Sequence, residues 1–227
     1  MKALIVVTNV AQFGALRRPT GLWLSEATHF HKVMADHNIG VDYVSPTGGY
    51  VPLDPGSIAA DAIDDTSWHF YANPDYRQKY LANSLRPDQV NPADYDIIYY
   101  AGGHGTMWDF PTSTSIAHIA KQIYANGGVI SAVCHGVVGL LAIQDDGKQF
   151  IAGKQLTGFT NDEEAINQLT DAVPFLAEDA LRKAGSDYSK STPYTEHVVT
   201  DGRLVTGQNP QSAHGVGLAA LAALGIK

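Results

Sequence analysis

The chain has 227 residues, 44% of them hydrophobic, with one cysteine and 15 basic against 23 acidic side chains. That length and apolar content suffice for a single large core spanning residues 1–227, and a lone cysteine excludes an internal disulfide. A formal net charge of −8 without a basic stripe argues against nucleic acid as a partner.

The opening Met1-Lys2-Ala3-Leu4-Ile5-Val6-Val7-Thr8 is too short for a signal peptide, and no run approaches the roughly 18 apolar residues of a membrane span. A cytoplasmic protein with no membrane partner is expected. In chain order, strands are predicted over 3–8, 41–44, 96–100 and 129–133, where β-branched residues crowd into short apolar runs. Helical patterns fall between and after them, over 22–36, 114–125, 174–184 and 211–224, and an apolar helix is predicted directly after Cys134. The alternation points to an α/β fold with a doubly wound, mostly parallel sheet, in which ligands bind beyond the carboxyl ends of the strands.

Residues 46–94 break this rhythm, being rich in Pro, Gly and Asp. Trp68, Phe70, Tyr71, Tyr76 and Tyr80 give the stretch an apolar surface, so it is expected to dock as a cap-like insertion that could roof the site. Near the end, residues 196–200 and 203–206 flank Asp201-Gly202, the signal of a type I′ hairpin.

Four places carry chemistry. Glu26 falls on the apolar stripe marked by Leu22, Phe30 and Val33, so it is either an inward carboxyl able to exchange a proton or a first-turn acid facing water. The glycines of Ala101-Gly102-Gly103-His104-Gly105-Thr106 follow a strand and let backbone N–H groups approach an anion, without forming a dinucleotide fingerprint. Cys134 stands between the strand 129–133 and His135-Gly136. A thiol at a helix start beside an imidazole is disposed toward thiolate; the other reading is an inert core thiol. In Thr160-Asn161-Asp162-Glu163-Glu164, both Thr160-x-x-Glu163 and Asn161-x-x-Glu164 match a capping box, while one of the two glutamates could instead orient His135. The nine histidines show no metal-ligand spacing, and His29 and His31 diverge on one helix, so neither metal nor cofactor is expected.

Six segments in order, Gly21-Leu22-Trp23-Leu24-Ser25-Glu26, residues 45–55, residues 102–109, Ala132-Val133-Cys134-His135-Gly136, Thr157-Gly158-Phe159-Thr160-Asn161 and residues 206–212, resemble the DJ-1/PfpI superfamily. Within it they are similar to the glutathione-independent glyoxalase (glyoxalase III) and chaperone-like branch.

The resemblance implies a flavodoxin-like three-layer sandwich with a nucleophile elbow at Cys134. It makes Cys134 the nucleophile, His135 its proton shuttle, Glu26 the hydrogen-bond partner of the sulfur, and Glu164 rather than Glu163 the triad acid. Backbone N–H groups of Gly103, His104 and His135 would hold an oxyanion. The implied activity is cofactor-free conversion of methylglyoxal and similar 2-oxoaldehydes to 2-hydroxy acids by a homodimer. A cysteine-dependent amide hydrolase and a redox-sensing stress chaperone are the alternatives. The chain departs from many relatives in carrying His29-Phe30 where they have a proline, and it lacks the extra metal-binding segment of the longest ones.

Overall fold

The four predicted parallel strands form, as β1 (Lys2–Val6), β2 (Gly40–Val44), β3 (Ile97–Tyr100) and β4 (Val129–Val133), in a computed structural model that describes residues 1–226. They pair in parallel in the order β2-β1-β3-β4; Leu204–Gly207 then runs parallel to β4, and Val198–Asp201 closes the edge antiparallel to it. This is the doubly wound arrangement expected from the alternation of strands and helices.

Side-chain alternation on the strands builds the three layers. On β1, Leu4 and Val6 face one side and Ala3 and Ile5 the other. Helices Thr114–Ala125 and Ala177–Lys183 cover the first side with Ile116, Ile119, Ile123 and Leu181. Helix α1 (Leu24–Asp36) and the helix Ala213–Ala223 cover the second with Phe30, Val33, Val216 and Leu221. Each such side chain, fully buried, stabilises the fold by about 1.5–3 kcal/mol. Phe30 stacks on Tyr99 at 3.8 Å between ring centroids, and the Tyr99 hydroxyl donates to the Glu26 carbonyl oxygen at 2.9 Å. The first turn of α1 is thereby fixed over β3.

Residues 46–94 form short helical pieces, among them α2 (Asp65–Ala72), packed on α1 and along the β2 edge. Thr28 and Ser67 hydroxyls meet at 3.0 Å, and Leu85 bridges to Val44. Tyr76, Tyr80 and Phe70 close around His31 and Tyr43. Trp68 remains 56% exposed. The segment covers the sheet edge rather than roofing the site, and of its residues only Asp54 and Gly56 reach the main pocket.

Two local expectations need correction. The hairpin turn consists of Gly202-Arg203, not Asp201-Gly202, because Asp201 still pairs with Leu204. Only Gly202 has positive φ, +59°, the type II′ pattern that needs glycine at the first central position alone. The helix after Cys134 is a nine-residue 3₁₀ helix, Cys134–Ala142, and Gly136 and Gly139 lie in it hard against Tyr100 and Ala101.

Candidate active site

The extended backbone of Val133 turns abruptly at Cys134, whose φ of +56° lies in the left-handed region that side chains with a Cβ rarely adopt. Such a strained strand-to-helix bend holds the thiol out beyond the carboxyl end of the sheet. Sγ lies 3.5 Å from His135 Nδ1, and the His135 backbone N–H donates to the sulfur.

His135 Nε2 lies 2.7 Å from Glu164 Oε2, and His104 Nε2 lies 2.8 Å from Glu164 Oε1. Burial works against the Glu164 charge, but His135 and the hydrogen bonds from both imidazoles outweigh it and hold the carboxyl well below its usual range. An ionised carboxylate only accepts, so both imidazoles are Nε2–H donors, and it is the neutral form of His135 that turns a bare Nδ1 to the sulfur. Burial, and then the neighbouring His135, lower His104 to about 4 despite Glu164. His104 is therefore neutral near pH 7.

Glu26 is fully buried. Its Oε2 accepts the Gly102 N–H at 2.7 Å, and its Oε1 has no nitrogen or oxygen partner but the carboxyl meets the Cys134 thiol. Burial pushes it up to about 8, against the lowering pull of the thiol and the Gly102 amide. The thiol is also pushed up, first by burial and then by Glu26, against the His135 amide. The expectation of a resting thiolate is thus corrected: desolvation outweighs the helix-start field, and the buried pair keeps its protons until a base removes one.

The glycine loop follows β3. Gly103 has φ +101°, and a Cβ there would meet the Gly21 carbonyl oxygen at 2.3 Å, so only glycine lets this loop pass the entry to α1. Its amide and that of His104 donate to no protein acceptor among the described residues. They lie in the wall of the pocket that holds Cys134.

The two adjacent glutamates divide as follows. Glu163 Oε2 accepts from the Thr160 N–H and hydroxyl, while its Oε1 accepts from the Tyr194 N–H, Gln208 and Asn209. It caps the helix Asn161–Ile166 and pins the loop carrying Tyr194, and Glu164 points at the imidazoles. Only the Thr160–Glu163 capping box forms.

The pocket, about 200 Å³, is lined by Cys134, His135 and Glu26 together with Trp23, Phe159 and Tyr194. Tyr194, with φ +56°, carried no sequence signal; its loop reaches the site through Glu163. Arg18 and Asn167 also line it and were likewise missed. His104 was expected to contribute only its backbone, whereas its ring completes the Glu164 pair.

Candidate donor atoms of His104, His135 and Glu164 lie within 4.8 Å of one another, a grouping that sequence spacing did not disclose. Both imidazole N–H groups are committed to the carboxylate. The arrangement is one carboxylate shared between two imidazoles. His29 instead pairs with Asp64 at 2.6 Å, and His31 is buried among aromatics.

Together the doubly wound sheet and the thiol–imidazole–carboxylate site at its carboxyl edge define an α/β protein built around an elbow cysteine. The chain belongs to the DJ-1/PfpI family, whose profile matches residues 21–223. It is 37% identical over 213 residues to the glutathione-independent glyoxalase HSP31 of Saccharomyces cerevisiae, covering 90% of each chain. Among solved structures it is similar to the Rapid Encystment Protein 24 kDa of Francisella tularensis, with TM-score 0.94, 43% identity and 99% of both chains covered. The crystal structure of glyoxalase III from Candida albicans matches with TM-score 0.90 and 31% identity, covering 98% of this chain and 97% of that one. Among the described residues no helix is long and apolar enough to cross a membrane.

Proposed function

We propose that the chain is a glutathione-independent glyoxalase that converts methylglyoxal and similar small 2-oxoaldehydes to 2-hydroxy acids. The observation that carries this reading is the Cys134–His135–Glu164 relay with Glu26 beside the sulfur, set in a pocket whose wall holds two unpartnered amides. The relatives named glyoxalases support it at 31–37% identity over nearly the whole chain.

His135 Nδ1 takes the thiol proton as Sγ bonds to the aldehyde carbon, C1. The C1 oxyanion rests on the Gly103 and His104 amides. His135 returns that proton to the C1 oxygen and then takes the proton on C1, while Glu26, a carboxyl still protonated near pH 7, protonates the C2 oxygen to give an enediol. His135 next protonates C2 as the C1 hydroxyl gives its proton back to Glu26, leaving a thioester. C1 loses the two electrons that C2 gains, so no external oxidant enters. Water finally breaks the C1–S bond of the thioester and restores the thiol.

The test is purified protein mixed with methylglyoxal without glutathione, followed by NMR. Lactate formation that falls by at least about 10³-fold in Cys134→Ala is the expected outcome. Substantial lactate from Cys134→Ala would sink the assignment, and amide turnover without aldehyde turnover would transfer the same site to hydrolysis. A cytoplasmic homodimer belongs to the same proposal, with light scattering after size exclusion as its check on assembly.

A further inference from the structure

One feature of the site has no place in that mechanism. Glu164 serves two imidazoles, whereas a relay from Cys134 through His135 uses only one of its oxygens. The second imidazole is buried, 7% exposed, with its ring centroid 4.1 Å from that of His135. Phe13 packs beside it at 5.0 Å and Phe159 at 6.1 Å. It is therefore held as firmly as the residues of the relay.

We propose that the His104 side chain is a positioning residue: its Nε2–H fills Glu164 Oε1, leaving Oε2 to hold His135 in the one tautomer and ring orientation that present a bare Nδ1 to Cys134. The proposal rests on the proton-relay reading of the site. Were His104 apolar, Oε1 would be a buried acceptor without a donor, and the carboxylate would turn to share both oxygens with His135. A 180° turn of the His135 ring would then carry Nδ1 away from the sulfur.

Other groups face this pair. Asp54 acts on His104, while Glu26 and Glu163 act on Cys134. Tyr194 feels Cys134, Glu163 and Glu164 from the opposite wall, and Arg18 stands at the lining. All of them remain in a His104 variant, as does the His104 backbone amide, so the comparison isolates the ring.

The experiment measures the rate of Cys134 alkylation by iodoacetamide at pH 7, together with kcat and KM for methylglyoxal, in His104→Phe, His104→Leu and His104→Gln. Two apolar replacements guard against one that fails to fold, and Gln can place an amide N–H where Nε2–H stood, facing Oε1. The expected result is a loss of about tenfold or more in alkylation rate and in kcat for the apolar variants, with KM changed less. His104→Gln should recover most of the rate. A folded apolar variant with the wild-type rate would overturn the proposal, as would Gln performing no better than Leu. Alkylation is read without turnover, so the expected alkylation pattern with no lactate from any form would uphold His104 and discard the glyoxalase reading.

Discussion

At the scale of single residues, the site combines a strained cysteine with a displaced proton. Cys134 holds φ +56°, where a Cβ costs about 1–2 kcal/mol that glycine does not incur. Replacement by glycine usually destabilises, yet here Cys134→Gly should exceed Cys134→Ala in stability by about 1 kcal/mol in urea unfolding. Ala equal to or above Gly would mean that the elbow relaxes. Glu26 is held up to about 8, so the folded chain keeps a proton there that the unfolded chain releases near 4.5. That contribution is complete below pH 4.5 and is lost as pH rises through 8. Glu26→Gln, which keeps the acceptor for Gly102, should therefore be more stable than wild type at pH 8.5 to 9 while losing about 10²-fold or more in turnover. Thermal melts at pH 6 and pH 9 decide it; a variant less stable at both would contradict the buried neutral carboxyl.

Among elements, α1 serves two masters. Its first turn supplies Glu26 to the site, and its outer side carries His31 into an aromatic cluster of Tyr43, Phe70, Tyr76 and Tyr80. Burial, reinforced by Lys79, lowers His31 to about 4. Below about pH 6.5 the unfolded chain takes up a proton that the folded chain refuses, so stability is full above that value and declines as pH falls toward 4. The loss attributable to this one imidazole is roughly 3 kcal/mol. His31→Phe should flatten the acid side of the stability profile, measured by urea unfolding at pH 7 and pH 4.5. An unchanged slope would place the acid sensitivity elsewhere.

At the level of the whole molecule, three segments distant in sequence converge on Gly102. A Cβ there would meet Glu26 Oε2 at 2.7 Å, the Gly136 amide nitrogen at 2.9 Å and the His135 amide nitrogen at 3.0 Å. Helix α1, the loop after β3 and the elbow after β4 thus share one contact point with no room for a methyl group. Gly102→Ala should cost about 1–3 kcal/mol and reduce turnover more steeply than its stability loss explains, because it displaces the carboxyl and the elbow together. A kinetically normal, fully stable Gly102→Ala would show that these segments can move apart.

The sequence by itself determined the parallel sheet and its helices, because short β-branched runs and 3.6-residue apolar periods report burial directly. It also set Cys134-His135 at a strand end and Glu26 on an apolar stripe, since a carboxylate among Leu22, Phe30 and Val33 conflicts with its local pattern. The local pattern left Glu163 and Glu164 open and only the family resemblance favoured Glu164; the fold gives the physical division, sending Glu163 to Thr160 and Tyr194 and Glu164 to the imidazoles. The ring of His104, the wall provided by Tyr194 and the protonated state of the thiol were likewise decided in three dimensions. Their causes are contacts between residues 29 to 60 positions apart and the loss of water around a buried charge, neither of which leaves a local trace in the chain.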